Sequence, residues 1–285
     1  MSERVFIIGP GHVGRGLFRA FRASEVKVVG LHGKRPSGVA SSSGALPVEM
    51  SGANVVMVCV RDPQLDEALE EIMAATKSGL VERGTVILHT SAIVEPEGLR
   101  SLSDAGFPGG TFHPLVPFSD PEVAAEMLRK GWIGIDGENA AKSASRRLAG
   151  HLGARTLDIP QGKKPAYHAA AVISSNFPVV LASIAGRLLH DIGVPDASAY
   201  QAVESLMSGA LANMKQTLPE DALTGPVVRG DAETVAKHLR AMQGRGAAYE
   251  VYRALSAAAV EIAERRGVDP KKLAAVGGLV RSQAK

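Results

Sequence analysis

Two groups of residues in this 285-residue chain have the types and spacing to do chemistry. The first is Gly9-Pro10-Gly11-His12-Val13-Gly14, glycines spaced G-x-G-x-x-G directly behind the apolar run 5–8. At that spacing the first glycine permits a tight turn, the second lets backbone amides approach a pyrophosphate, and the third lets helix and strand pack closely. An anion is favoured there by the unpaired amides and the dipole of the helix start. Glycine makes up 31 of the residues, so the pattern alone recurs by chance. Its position between a strand-like run and a helical pattern through Leu17, Phe18 and Phe21 favours a dinucleotide site over a plain glycine turn. The second group is Lys164, His168 and Asn176, which on a helix share one broad face over about three turns among alanines and valines. Buried polar groups need partners, and a substrate, a neighbouring chain or core backbone can supply them. Lys164 is the expected general acid, with His168 as the alternative, and Asn176 is expected to orient the substrate.

Further candidates punctuate strand ends, the edge at which open α/β sheets bind ligands. Behind the second strand pattern, where an acidic residue would hold the ribose hydroxyls of NAD, stand Lys34, Arg35 and Ser37. These suit a 2′-phosphate and therefore NADP. Val60 and Arg61 end the third run and are expected beside the cofactor, as is His89 at the end of the fourth. Ser91 follows, and His113 ends the fifth; two histidines on successive strand ends point to a site lining, with Ser91 and His113 orienting substrate. Later, Thr224 and Arg229 sit in a Gly-Pro turn region, where Arg229 either grips a substrate carboxylate or pairs with Asp231. No metal is expected.

These residues need a scaffold. Apolar runs at 5–8, 26–31, 54–60, 85–90, 110–113, 132–135 and 155–159 alternate with helical patterns such as 63–76 and 121–129, the signature of βαβ units and a parallel sheet. The near-continuous apolar run 55–60 reads as a strand buried on both faces. The stretch 38–52 reads as a flexible connection. After Gln161 the chain turns rich in alanine and leucine and loses its valine-dense runs. The reading is therefore two domains: residues 1–160, a doubly wound α/β dinucleotide-binding domain, and residues 161–285, an all-α substrate-binding and dimerisation domain, with substrate in the cleft between them. The segment 166–189 is apolar around most of its circumference, which predicts a central helix or a homodimer core, kinked or broken at Pro178.

Composition bounds the function. A net charge of +3 without a basic block argues against nucleic acid and suits small anions. The single cysteine, Cys59, excludes an internal disulfide and lies in an apolar run as a small core residue. No signal peptide and no membrane-spanning segment is read, so the expected compartment is the cytoplasm.

Taken together, the glycine fingerprint, His89-Thr90-Ser91, Phe112-His113-Pro114-Leu115, Lys164-x-x-Tyr167-His168 with Ser175-Asn176, and Leu223-Thr224-Gly225-Pro226 with Arg229-Gly230-Asp231 resemble a bacterial family. It is the Rossmann-like NAD(P)-dependent oxidoreductases whose C-terminal half is the domain of unknown function 2520. Where that family commonly has Ser-Gly after the histidine, this chain has Ser91-Ala92. The layout is more distantly similar to ketopantoate reductases, β-hydroxyacid dehydrogenases and pyrroline-5-carboxylate reductases. The resemblance implies a Rossmann domain, a helical and frequently dimer-forming domain, and hydride transfer from NADP(H) to a small carbonyl compound such as an oxo-acid. In ketopantoate reductases and β-hydroxyacid dehydrogenases a lysine opening the first helix after the Rossmann domain acts on the carbonyl, with an asparagine one turn on. Lys164 matches that lysine by position, while the one-turn place is His168 and the nearest asparagine on that face is Asn176. An imine reductase, a deazaflavin-linked NADP oxidoreductase and a non-catalytic NADP-binding regulator are the alternatives.

Overall fold

The computed structural model describes residues 3–95 and 99–281. The chain divides into two compact units, Met1–Asn176 and Phe177–Lys285. In the first, strands β1 (Arg4–Ile8), β2 (Lys27–Gly33), β3 (Ser42–Ser43), β4 (Val55–Val58), β5 (Val86–His89), β6 (Gly109–Pro114), β7 (Trp132–Gly137) and β8 (Arg155–Asp158) form one sheet in the order β3-β2-β1-β4-β5-β6-β7-β8. Helices α1 (His12–Arg22), α2 (Leu65–Lys77), α3 (Arg100–Asp104), α4 (Pro121–Leu128) and α5 (Asn139–His151) connect the strands. The order reverses at β1, so the crevice beyond the carboxyl ends of β1 and β4 is the topological switch point at which such sheets bind ligands.

Strand residues alternate between two cores. Val5, Ile7, Val55 and Met57 pack with Leu17 and Phe21 of α1 and Leu148 of α5, while Phe6, Val56 and Ile87 pack with Leu69 and Ile72 of α2. That two-sided burial explains the continuous apolar runs. Two features depart from the simple parallel pattern. Ser42 and Ser43, within the stretch read as a flexible connection, pair with His32 and Gly33 as a short edge strand. Strand β7 runs antiparallel to β6, with Ile133 opposite Pro114. The eight-residue α4 is about 12 Å long and does not return the chain along a six-residue strand of about 20 Å, so the chain re-enters the sheet at the edge it left.

Helix α6 (Lys164–Asp191) starts in the first unit and continues into the second, running unbroken through Pro178. It is followed by α7 (Asp196–Met214), α8 (Pro219–Ala222), α9 (Pro226–Arg229), α10 (Ala232–Ala241), α11 (Ala247–Arg265) and α12 (Pro270–Arg281). The second unit is thus all-helical. Its core is Val227, Val235, Leu239, Val260, Leu273 and Val276, contributed by α9 to α12. Helix α6 amends one expectation: by length and composition it is apolar enough to cross a membrane. Polar residues recur along it, among them His168, Ser174, Asn176 and Arg187.

Candidate functional site

The glycine turn between β1 and α1 divides its work among three residues. Gly9 has φ +105°, and a Cβ there would lie 2.6 Å from the Cys59 carbonyl oxygen. A Cβ at Gly14 would strike the Gly9 carbonyl. Both are therefore required by the fold itself. Gly11 differs: nothing lies within 4 Å of the position its Cβ would take, it is exposed, and no side chain caps the helix it begins. This is the space a close-approaching ligand needs at a helix N-terminus. Pro10 borders the turn, and a Cβ at Gly33 would lie 2.8 Å from its ring. His12 is exposed and its Nδ1–H donates to the Phe118 carbonyl at 2.9 Å, while half-buried Val13 packs on the core.

Beyond β2, Lys34, Arg35 and Ser37 are all exposed. Lys34 is held by Glu67 and, at 3.0 Å, by Glu71 of α2, which together raise its pKa. Ser37 accepts a bond from the Ala40 amide at 3.2 Å. Arg35 has no ion-pair partner among the described residues, so it is the cation more open to an incoming anion. After β4, Val60 is half-buried, and exposed Arg61 lies 3.4 Å from Gln64 Oε1.

The second cluster spans β5, β6, β7 and the first turns of α6. His89, Thr111 and Asp136 sit opposite one another in the strand ladders, and all three are buried. Thr111 Oγ1 lies 3.1 Å from His89 Nε2 and receives Lys164 Nζ at 2.6 Å. Lys164 is fully buried; its ammonium also donates to the Val94 carbonyl and lies 3.4 Å from Asp136 Oδ2. The lysine expected to face substrate thus ends in an enclosed ion pair. Two residues further along β6, half-buried His113 has its Nδ1 2.7 Å from the Tyr167 hydroxyl and its ring edge-on to Tyr167 and His168. His168 is half-buried, and its Nδ1 has no hydrogen-bond partner among the described residues.

Burial pushes the His113 pKa down to about 4, helped by His168 and Lys164 and opposed by Asp62. Burial, then Lys164 and His113, bring that of His89 to about 3. Both rings are therefore neutral near pH 7. The unfolded chain takes up protons at the ordinary histidine value of 6.5, whereas the folded protein does not until about 4 and about 3. Stability is expected to be complete above pH 6.5 and to fall below it, by roughly 1.4 kcal/mol per pH unit for each histidine until its folded value is passed. Urea unfolding between pH 6.5 and 4.5 checks this; His89→Gln should make the slope shallower by one histidine's share, and an unchanged slope would contradict it.

The remaining candidates are placed apart from this cluster or in other roles. Ser91 is buried and its Oγ accepts from the amides of Ile93 and Val94, each at 3.2 Å, so it shapes the turn that carries the Val94 carbonyl to Lys164. Asn176, the last residue of the first unit, is exposed. Thr224 and Arg229 belong to the second unit and are exposed; Arg229 ends α9 and helps lower the pKa of Asp231, whose carboxylate caps α10 by accepting from Thr234. Sequence reasoning missed Thr111, Asp136 and Tyr167. Only Tyr167 carried a signal, its place between Lys164 and His168 in the motif.

Residues 132–259 match the family model described as domain of unknown function (DUF2520). No curated protein matches the chain. Among solved structures, protein TM1727 from Thermotoga maritima is 24% identical with a TM-score of 0.71, covering 92% of this chain and 99% of that one. Plasmodium falciparum pyrroline carboxylate reductase with NADP bound is 10% identical with a TM-score of 0.62, covering 89% and 98%. The imine reductase from Myxococcus stipitatus in complex with NADP+ is 14% identical with a TM-score of 0.58, covering 98% and 93%. At these identities the likeness establishes a shared fold, a Rossmann-like sheet followed by a helical region.

Proposed function

We propose that this chain, a Rossmann-like sheet whose last two strands and following helices match the DUF2520 model, is an NADP(H)-linked reductase of a small carbonyl or imine compound. The carrying observation is the empty approach at Gly11, on a turn that Gly9 and Gly14 enforce, at the switch point of the same sheet whose β6 end carries His113. Pro10, His12, Val13 and the first-turn amides of α1 would hold the pyrophosphate, and Arg35 with Lys34 the 2′-phosphate. Val60 and Arg61 would flank the nucleotide. When bound, NADPH supplies the hydride; the chain supplies position and a proton. His168, half-buried beside His113 and with an unpartnered ring nitrogen, is the group we assign to hold that proton, and His113 to orient the acceptor atom. Lys164, buried against Thr111, Asp136 and the Val94 carbonyl, fixes the start of the helix that carries His168. The names of the solved neighbours, a pyrroline carboxylate reductase and an imine reductase, support the imine half of the reading. Buried, lone Cys59 suits a reducing cytoplasm.

Calorimetric titration tests the cofactor. NADPH should bind at least tenfold tighter than NADH, since one further charge-assisted contact at Arg35 need contribute only about 1.4 kcal/mol. Gly11→Val should remove binding while the chain stays folded, because space for the side chain exists. Equal affinities would overturn the NADP assignment, and unchanged binding in Gly11→Val would overturn the phosphate site.

We also propose a homodimer built on α6 and α7. Ile173, Phe177, Val179 and Val180 on α6 and Leu206 and Leu211 on α7 are exposed in the single chain, and large apolar side chains clustered along a helix in this way mark a protein-interaction face. The interspersed serines, Asn176 and Arg187 suit a protein partner better than lipid. Light scattering at micromolar concentration should give twice the chain mass, and a monomer would refute it.

A further inference from the structure

We propose that Tyr167 is a positioning residue: it locks His113 as the neutral tautomer that carries its proton on Nε2, so that the end of β6 presents a fixed hydrogen-bond donor to the substrate oxygen or nitrogen that takes up the π electron pair as hydride adds to the neighbouring carbon. This deepens the reductase reading and rests on it.

The geometry is built for the pair. Gly134 of β7 stands directly opposite His113 of β6 in the antiparallel ladder. A Cβ at Gly134 would collide with the Tyr167 hydroxyl, so the missing side chain on one strand is the slot that admits the phenol beside the imidazole on the next. The rings meet edge to face, 5.5 Å between centroids at 81°, with oxygen and Nδ1 2.7 Å apart. Helix α6 holds the phenol in place, because three residues earlier Lys164 anchors the same helix to Thr111, Asp136 and the Val94 carbonyl.

The direction of the bond follows from the partners. The phenol has no other hydrogen-bond partner among the described residues, so its proton is satisfied within the protein only by Nδ1. Burial and the charge of Asp136 push the Tyr167 pKa upward, which keeps the hydroxyl protonated and a donor. The titratable groups around His113 are Lys164, Tyr167 and His168 from α6, His89 of β5 and Asp62 after β4; burial with His168 and Lys164 outweighs the opposing Asp62 and leaves the ring neutral. A neutral imidazole that accepts at Nδ1 carries its hydrogen on Nε2. Such a ring stabilises developing negative charge as a donor without being the group that loses the proton. That separates its role from the one assigned to His168.

Long-range proton–nitrogen correlation spectra of histidine-labelled protein, without cofactor at pH 7, test this. His113 should show an unprotonated Nδ1 and a protonated Nε2. Tyr167→Phe, which keeps the ring and removes the hydroxyl, should convert that signal to a mixture of tautomers, and Gly134→Ala should do the same by displacing the phenol. In turnover assays Tyr167→Phe should lower kcat with little change in KM. A protonated Nδ1 or a charged His113 in the unmodified protein overturns the proposal, as does an unchanged tautomer in a folded Tyr167→Phe. Because the spectra need no cofactor, their failure is distinguishable from failure of the reductase reading, which the NADPH titration reports separately.

Discussion

Replacing His168 with alanine should lower kcat by about 10²–10⁴-fold, the usual share of a positioned proton donor. The expectation follows from where its neighbours end. Lys164 is consumed by Val94, Thr111 and Asp136, and His113 is held neutral with Nδ1 facing the Tyr167 hydroxyl. Two rings of this cluster keep an unpartnered Nδ1, those of His89 and His168; His89 is fully buried within the sheet, which leaves half-buried His168 as the one a substrate could reach. NADPH affinity should stay as it was, because the proposed nucleotide contacts are on α1 and the loops after β2 and β4. Steady-state kinetics with calorimetry check both halves. Full turnover in a folded His168→Ala variant would remove the histidine from the chemistry.

Lys164→Ala should cost about 3–5 kcal/mol of unfolding free energy, the effect of removing one partner from a buried ion pair. Asp136 is 5% exposed, and without the ammonium its carboxylate would be left in the sheet without compensation. Thr111 and the Val94 carbonyl would lose their donor too. A double replacement, Lys164→Met with Asp136→Leu, should recover most of the loss, since apolar residues of similar volume often replace a buried pair at little cost. Urea unfolding of the three proteins checks this, and a loss below about 1 kcal/mol in Lys164→Ala would mean that water replaces the ammonium.

The glycine turn was legible because its requirement is local: Gly9, Gly11 and Gly14 act within one strand–turn–helix unit, and spacing alone specifies it. The strands were legible for a similar reason, since two-sided burial writes continuous apolar runs. The antiparallel β7 was not, because strand direction depends on the reach of α4 and the loops around it and leaves apolar content unchanged. The polar stripe on α6 shows the limit most sharply. Periodicity places Lys164, His168 and Asn176 on one face, and the structure leaves them buried, half-buried and exposed in turn as the helix climbs away from the sheet. Burial changes along a helix as its neighbours end, and no spacing rule carries that information. Thr111 and Asp136 are strand residues whose significance exists only through register: each is opposite the next across β5, β6 and β7, and all converge on a lysine from elsewhere. Lys34 is similar, legible as a cation after β2 but not as one already shared by Glu67 and Glu71.

The most direct test of the central claim is NADPH consumption followed by absorbance against a panel of cyclic imines and small oxo-acids, with the unmodified protein at neutral pH. Saturable oxidation of NADPH by at least one panel member, faster than with NADH, is the predicted result. Tight NADPH binding with no oxidation across the whole panel would contradict the reductase reading and identify the chain as a nucleotide-binding protein without turnover.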